Sequence, residues 1–321
     1  DPKTKVFIIK GGYGDLRKAL QERGWVENPD YFCFDLKWTC KVQDIDYDNL
    51  QENQVVNHFD NNQTFTSKYG LARNLRTLIH SEIDVYKFFP RCFDLGDEFE
   101  DFIENFKVAK ANIWIVKPNF LSRGRGIKCF NSLDKIMDET QFVVQKYIEN
   151  PLLINNKKFD MRQWAIVQDF CPPRIWFFEE CYIRLCSVEH NIDDLNNRFV
   201  HLTNNIVQKY NKDAYADKDD LMMSQEQFAQ YLKETEGFYE EIQPKLKQMV
   251  IQSLKSCQDQ VGARKNSMEF IGYDFMIDSN YQPWLIEINS SPSMEYSTSI
   301  TEELVQRVLQ DTTKVIVDYS M

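Results

Sequence analysis

Near the end of the chain stand two apolar stretches, Phe270-Ile-Gly-Tyr-Asp-Phe-Met-Ile-Asp278 and Pro283-Trp-Leu-Ile-Glu-Ile-Asn289, separated by a short polar turn. This composition on both sides of a turn predicts a β-hairpin. Pairing the strands outward from the turn places Asp274 opposite Glu287, and Asn289 shares their face because side chains alternate along a strand. Opposed carboxylates among apolar neighbours repel each other unless one is protonated or a cation lies between them.

The polar side chains of this hairpin predict a metal site. Asp274, Glu287 and Asn289 offer only oxygen ligands, which Mg²⁺ prefers, particularly where phosphate oxygens complete its octahedron. The alternative is a pair of solvated acids on an open sheet face. The apolar neighbours Phe275 and Ile288 make that alternative less favourable.

A second predicted hairpin carries two arginines. The stretch Lys158-Phe-Asp-Met-Arg-Gln-Trp164 and the strand that ends at Arg184 flank Cys171-Pro-Pro173. Pairing around that turn predicts that Arg162 faces Arg184, within a register slip of a residue or two. Neighbouring guanidiniums require anions, and arginine binds carboxylate or phosphate with paired hydrogen bonds. The pair therefore predicts a site for carboxylate groups, although arginines at a solvated edge or paired with acids of the chain fit the same pattern.

A basic loop follows a predicted strand at residues 113–116. The stretch Lys117-Pro-Asn-Phe-Leu-Ser-Arg-Gly-Arg-Gly-Ile-Lys128 contains four basic residues and no acid. Backbone N–H groups of a glycine-containing loop, together with Lys and Arg, can surround a triphosphate. A basic surface loop is the alternative. Farther on, Gln145-Lys-Tyr-Ile148 leads from a strand into a connector whose backbone could recognise the edge of a nucleobase.

The remaining pattern indicates an α/β chain. An apolar run at residues 6–9, the turn Gly11-Gly-Tyr-Gly14 and a helical spacing beyond it predict a β-turn-α unit. His201 is predicted to have a structural or substrate-orienting role rather than that of a general base. Further strands are predicted at residues 142–145, 162–170 and 174–184, and further helices through residues 71–78, 225–234 and 242–258 and from about residue 302.

Composition excludes several classes of protein. The chain has 321 residues, of which 43% are hydrophobic, and a net charge of −11, which argues against a duplex-binding surface. No apolar run approaches the ~20 residues that span a bilayer, and no secretory segment follows Asp1. The eight cysteines include no C-x-x-C pair, which favours reduced thiols. These features predict a soluble, intracellular protein of about two domains.

Five blocks of sequence, taken together and in their order along the chain, carry a family resemblance. They are Lys117-Pro118 with Ser122-Arg-Gly-Arg-Gly-Ile127, Gln145-Lys-Tyr-Ile148 with Pro151-Leu-Leu153, Lys158-Phe-Asp-Met-Arg162, His201-Leu-Thr-Asn-Asn205, and Asp274-Phe-Met276 with Trp284-Leu-Ile-Glu-Ile-Asn289. Together they resemble the tubulin tyrosine ligase-like family. With Phe65-Thr-Ser-Lys-Tyr-Gly-Leu71, they are most similar to the branch of tubulin glycylases that add the first glycine.

The resemblance implies an ATP-grasp fold of three lobes. We expect an N-terminal α/β lobe at residues 1–65, a central lobe at 66–148 and a C-terminal lobe at 149–321. The nucleotide would lie between the central and C-terminal lobes.

The resemblance also implies a reaction and the residues for it. ATP would phosphorylate a glutamate γ-carboxylate in a tubulin C-terminal tail, and the amine of glycine would attack the acyl phosphate. Arg162, Arg184 and Glu287 are the expected catalytic residues, and Asp274, Glu287 and Asn289 are the expected ligands of magnesium, in two ions. The expected nucleotide-binding residues are Lys68, Lys117, Ser122, Arg123, Gly124, Arg125, Gly126, Ile127, Gln145, Lys146, Tyr147, Ile148, Lys158, Asp160, Thr203, Asn204 and Met276.

The expected partners are tubulin tails or microtubules and free glycine, with no nucleic acid and no membrane, and the expected state is a monomer. The resemblance implies a place in the cytoplasm, on the cytoskeleton and in the cilium or axoneme. Two alternatives stay open: a tubulin polyglutamylase of the same fold, and a nucleotide-binding, microtubule-associated pseudoenzyme. A polyglutamylase needs an extra cation for the side chain of glutamate. Glycine has no side chain, so a glycine pocket selects it by excluding amino acids that have one.

Overall fold

The computed structural model describes residues 4–28, 32–109, 112–118, 124–139, 142–211, 219–232, 238–262 and 264–319. Within them the chain forms three β-sheets with packed helices, which confirms the mixed α/β class. The strands are β1 (Val6–Ile9), β2 (Val26–Glu27), β3 (Leu36–Trp38), β4 (Val55–Val56), β5 (Cys92–Asp94), β6 (Trp114–Pro118), β7 (Lys128–Phe130), β8 (Phe142–Lys146), β9 (Leu153–Ile154), β10 (Lys157–Phe170), β11 (Pro173–Leu185), β12 (Met222–Ser224), β13 (Glu269–Ile277) and β14 (Pro283–Asn289). The helices are α1 (Gly14–Glu22), α2 (Gln63–Thr66), α3 (Lys68–Thr77), α4 (Phe99–Val108), α5 (Leu133–Met137), α6 (Arg198–His201), α7 (Asn205–Gln208), α8 (Gln225–Leu232), α9 (Gln243–Lys255) and α10 (Ser299–Thr313). None of these described helices has the length and apolar character needed to cross a membrane.

The first sheet has the strand order β2-β1-β3-β4, and its strands pair in parallel. β1 leads through a glycine-rich turn into α1, which confirms the predicted β-turn-α unit. Gly11 has a φ of +115°, and a Cβ at this position would lie 2.9 Å from Cys40 Sγ, so the turn requires glycine. α1 buries Leu16 and Leu20 and packs against α10.

The second sheet has the order β5-β8-β6-β7 and is antiparallel. One of its faces is a core of buried aromatic and aliphatic side chains, in which the rings of Phe102 and Trp114 lie edge to face with centroids 5.1 Å apart. Because side chains alternate along a strand, Ile115, Lys117 and Gln145 lie on the other face. That face forms part of the candidate site.

The largest sheet has the order β12-β11-β10-β13-β14, with β9 paired to β10. One face packs against α3, α8 and α9 around Phe159 and Tyr273. The other face packs against α10 around Trp164 and Phe270. Both faces are therefore buried, and the polar side chains of the site lie at one end of the face toward α10. The lobe boundaries at residues 65 and 148 stay predictions.

The register of the arginine hairpin differs from the prediction. Arg184 pairs with Asp160 rather than with Arg162. The chain reverses earlier than expected, because Phe170 already pairs with Pro173, and two bulges in β10 and β11 then change the offset between the strands. Arg162 and Arg184 are therefore two residues away from direct pairing, which is within the slip that the prediction allowed.

The pairing predicted for the carboxylate hairpin is confirmed, although the turn and the strand between differ from the prediction. Asp274 pairs with Glu287. Beside the turn, however, Ile277 pairs with Pro283, so the turn is one residue longer than predicted. A bulge in which Ile286 is the extra residue of β14 restores the predicted partner.

Helix ends deviate from the prediction by a few residues. α9 ends at Lys255, and α10 begins at Ser299 rather than near Glu302. The Thr298 side chain accepts a hydrogen bond from the Thr301 N–H, and the Thr301 hydroxyl oxygen accepts one from the Thr298 N–H. The usual capping box has Glu or Gln at the fourth position, so this start gave no clear signal in the sequence.

Candidate functional site

Most residues expected to bind the nucleotide line one cavity, named here the first cleft, to which the second and the largest sheet both contribute. Its open volume is about 770 Å³. Its lining includes Lys68, Lys117, Gly124, Ile127, Gln145, Lys146, Tyr147, Ile148, Lys158, Asp160, Thr203, Asn204, Asp274, Met276 and Glu287. Folding therefore brings together residues from all five sequence blocks.

The basic loop is only partly within the described residues. Residues 122 and 123 lie outside them, while Arg125 and Gly126 are described but do not line the first cleft. Gly124 has a φ of +74°, and a Cβ there would lie 2.8 Å from Asn204 Oδ1. The loop therefore needs glycine to pass so close to the start of α7.

Lys117 lies at the floor of the first cleft. Only 4% of its surface is exposed, and its ammonium donates to Gln145 Oε1 at 2.6 Å. Burial lowers the pKa of Lys117, and the Glu287 carboxylate partly opposes that shift. An ammonium has three hydrogens to donate, so Lys117 keeps the capacity to bind an anion.

Lys158 and His201 fix the connector beside the first cleft. Lys158 donates to the His201 carbonyl at 2.7 Å and lies 4.6 Å from the centre of the Tyr147 ring. His201 Nε2 is 2.9 Å from the Asp194 carbonyl, so Nε2 carries the proton and Nδ1 accepts from the Tyr147 hydroxyl at 2.8 Å. Burial lowers the pKa of His201, so the ring is neutral. These contacts agree with the structural role predicted for this histidine.

Asp160 and Arg184 form a bidentate ion pair. Arg184 Nε and Nη2 lie 2.7 and 2.6 Å from the two carboxylate oxygens of Asp160. The Thr203 hydroxyl donates to the same carboxylate. Asp160 therefore fixes the orientation of the Arg184 guanidinium, and it also lines the first cleft.

Asp274 lies between both arginines. Arg162 Nε is 2.5 Å from Asp274 Oδ1, and Arg184 Nη2 is 3.0 Å from Oδ2. Asn289 Nδ2 is 3.4 Å from Asp274 Oδ2 and from Glu287 Oε1. Burial alone would raise the pKa of Asp274, but the two guanidiniums hold it well below its usual range, so the carboxylate is ionised. The arginines are thus paired with acids of the chain, which was one of the interpretations left open by the sequence.

Glu287 lines two further cavities besides the first cleft. The second cleft, of about 970 Å³, lies beside the start of α3 and includes Lys68 and Lys117. The arginine pocket, of about 900 Å³, includes Arg162 and Arg184. Within the part of the chain that the structure describes, Glu287 forms no ion pair. Glu287 thus lines all three cavities.

Sequence reasoning missed the apolar walls of the first cleft. Ile115 and Ile286 line it, as does Leu202. Ile115 precedes Lys117 by two positions, so the alternation of side chains could have placed it on the same face. Ile286 is a bulge residue and gave no signal. Glu295, in the arginine pocket, was missed because it follows the last predicted strand in a segment without periodicity.

Comparison with known proteins decides the family. Residues 46–320 match the family model described as Tubulin-tyrosine ligase family. The chain belongs to this family. Tubulin glycylase 3B of Tetrahymena thermophila is 63% identical to the chain, over 100% of the chain and 43% of its own length.

Two vertebrate members of the family are also similar. Tubulin monoglycylase TTLL3 of Mus musculus is 39% identical over 78% of the chain and 28% of its own length. Protein monoglycylase TTLL8 of Homo sapiens is 42% identical over 65% of the chain and 26% of its own length. The chain spans less than half the length of these curated relatives. The family predicted from the five blocks is confirmed, and the relatives are those of the predicted branch.

Proposed function

We propose that this chain is an ATP-dependent ligase that joins glycine to a glutamate γ-carboxylate in a tubulin C-terminal tail, and that it adds the first glycine. One observation carries the proposal: three cavities meet at Glu287. The reaction needs a nucleotide, an acceptor carboxylate and an amino acid at one point. The relatives supply the chemistry by name, since they are tubulin glycylases and monoglycylases.

The first cleft would hold ATP. Ile115, Leu202 and Ile286 offer an apolar slot for the base, and the connector offers backbone groups for its edge. Lys117 and Lys158 would face the phosphates, because both are buried cations with hydrogens left to donate. Gly124 and Ile127 of the basic loop line the same cleft.

The donor set beside the first cleft fits magnesium. Asp274 already accepts hydrogen bonds from both arginines, so Glu287 and Asn289 have the larger unused capacity to ligate a cation. Among the described residues no three His, Cys, Asp or Glu side chains form a metal cluster, and phosphate and water oxygens would complete the octahedron that Mg²⁺ prefers. Magnesium bound there would neutralise charge on the transferred phosphoryl group.

The reaction balances without a protein nucleophile. A γ-carboxylate oxygen of the acceptor bonds to the γ-phosphorus of ATP, and ADP leaves. The amine nitrogen of glycine then bonds to the acyl carbon, phosphate leaves, and two of the three ammonium protons pass to solvent while the amide keeps the third. The chain itself binds and orients the substrates. Lys117 and Lys158 bind the phosphates, and Arg162 and Arg184 present guanidiniums to carboxylates.

The proposed partners are the acidic tails of tubulin, and we propose that the protein associates with the microtubule cytoskeleton, including that of cilia. The chain's net charge of −11 opposes an acidic partner over long distances. The buried cations of the site must therefore provide the attraction locally, and each of them lines at least one of the three cavities that share Glu287.

Transfer of labelled amino acids tests the proposal directly. The protein is incubated with Mg-ATP, tubulin-tail peptides and labelled glycine, glutamate or tyrosine, and the products are mapped by mass spectrometry. We expect a peptide heavier by one glycine residue, attached to a glutamate side chain. Addition of glutamate instead would establish the polyglutamylase, and ATP binding without transfer of any amino acid to any tail would favour the pseudoenzyme.

A further inference from the structure

The arginine pocket has opposite charges in its lining. Arg162 and Arg184 are buried in it, with 6% and 7% of their surfaces exposed. Glu295 lines the same pocket, is exposed, and forms no ion pair with any residue that the structure describes. The pocket therefore offers two guanidiniums and, apart from Glu287, one acid whose charge is not neutralised by the chain.

The segment that carries Glu295 is held in place at both ends. The Ser291 hydroxyl donates to the Cys40 carbonyl at 2.9 Å, and the Tyr296 hydroxyl bonds to Asp15. The Glu295 carbonyl accepts from the Ser297 N–H at 2.9 Å. Side-chain hydrogen bonds on both sides of Glu295 thus tie this segment to the loop after β3 and to α1.

Apart from Arg162, Arg184, Glu287 and Glu295, the lining of the pocket is uncharged. Apolar side chains such as Ile206 and Val305 alternate there with neutral polar ones such as Thr301, none of which can neutralise a full charge. A ligand in it would satisfy its charges at the arginines and at Glu295. A free amino acid at neutral pH has these two charges, a carboxylate and an ammonium.

We infer that Glu295 binds the ammonium of the free amino acid whose carboxylate the proposed function brings to Arg162 and Arg184, and that Glu295 thereby selects glycine over glutamate. This inference rests on the proposed function. The second carboxylate of glutamate would meet the negative charge of Glu295 without a cation to offset it, because the guanidiniums are already shared with the first carboxylate and with acids of the chain.

Variants of Glu295 test the inference. Glu295→Gln keeps the size of the side chain and removes its charge, and Glu295→Lys supplies a cation for a γ-carboxylate. Glu302→Gln, one turn into α10 and outside the pocket lining, is the matched control for loss of one surface acid. Each protein is checked for folding by thermal unfolding and is then assayed with Mg-ATP, a tail peptide and labelled glycine or glutamate.

Glu295→Gln should raise the KM for glycine at least about tenfold, because a charge-assisted hydrogen bond to the ammonium is lost. Its kcat at saturating glycine and its KM for ATP and peptide should stay within about twofold, since these depend on other residues. Glu295→Lys should raise the ratio of glutamate to glycine transfer at least about tenfold. Glu302→Gln should behave as the unmodified protein does.

Three outcomes would overturn the inference while the proposed function stands. The first is an unchanged KM for glycine in Glu295→Gln, and the second is a fall in its kcat with unchanged KM, which would place Glu295 in the chemical step. The third is a Glu295→Lys protein that is as selective against glutamate as the original. Failure of the unmodified protein to transfer glycine would instead overturn the proposed function and the inference with it.

Discussion

Asp274 and Glu287 are paired across two strands, yet their surroundings give them different tasks. Asp274 is 3% exposed and forms ion pairs with two guanidiniums. Glu287 is half-buried and has no ion pair among the described residues. Asp274 therefore stabilises the fold of the site, whereas the charge of Glu287 is available to ligands.

Isosteric amides separate these two tasks. Asp274→Asn should lower the free energy of unfolding by about 3–5 kcal/mol, because it leaves Arg162 buried without an anion. Glu287→Gln should change that free energy by no more than about 0.5 kcal/mol and reduce glycine transfer at least ~100-fold. Urea unfolding and the transfer assay measure both effects. Equal loss of stability in the two variants would contradict the division of roles, as would normal turnover by Glu287→Gln.

At the scale of the element, α3 places Lys68 at the first and second clefts through a tight approach to α2. Gly70 lies in its first turn, where its N–H donates to the Ser67 hydroxyl at 3.0 Å. A Cβ at Gly70 would lie 2.5 Å from the Gln63 carbonyl oxygen and 2.6 Å from that of Thr64. Only glycine permits the two helices to meet so closely.

Replacing glycine by alanine should therefore change the free energy of unfolding in opposite directions in two helices. Gly14→Ala, at the start of α1 with no atom within 4 Å of the added carbon, should stabilise the protein by up to about 1 kcal/mol through helix propensity. Gly70→Ala should destabilise it by about 1–3 kcal/mol through steric overlap. Thermal unfolding of both variants measures the signs. Stabilisation by Gly70→Ala would show that α2 moves away at little cost.

Elements with a strong local pattern could be predicted from the sequence, but the register between paired strands could not. Alternating apolar residues and the proline turn identified β10 and β11, and the polar turn identified β13 and β14. Register, however, depends on bulges, which are fixed by packing on both faces of the largest sheet rather than by a local motif. Asp160, and not Arg162, therefore faces Arg184. The α10 start was missed for a similar reason, because Thr301 fills a position usually held by Glu or Gln.

At the scale of the whole molecule, one buried ion pair connects the first sheet to the largest sheet. His58 Nδ1 is 2.6 Å from Glu269 Oε1, and its Nε2 is 2.9 Å from the Thr39 carbonyl. The same carboxylate accepts from the Phe59 N–H and from Asn62. Because each ring nitrogen has an acceptor within hydrogen-bond distance, these contacts favour the doubly protonated, charged ring. Burial lowers the pKa of His58, but the Glu269 carboxylate outweighs it and raises that pKa above its ordinary value.

This pair should make stability depend on pH. A raised pKa in the folded state means that the contribution of His58 is complete below its unfolded pKa of about 6.5 and is lost as pH rises through the folded pKa. The free energy of unfolding should therefore fall as pH rises above about 7, relative to the double variant His58→Gln with Glu269→Gln, which keeps a neutral hydrogen-bonded pair. Urea unfolding at several pH values measures the difference. Parallel curves for the two proteins would show that His58 is neutral when folded.

The bulge at Ile286 also determines which side of β14 the site residues occupy. Leu285 and Ile288 both lie in the core under α3 and α9, although they are three positions apart. In a strand without the extra residue, Glu287 would share the face of Leu285 and would point into that core. The extra residue therefore reverses the alternation of side chains along β14. Odd-numbered residues face the hydrophobic core before the bulge, and even-numbered residues face it after the bulge. The assembly of a carboxylate centre from this hairpin depends on a single residue that contributes no charge.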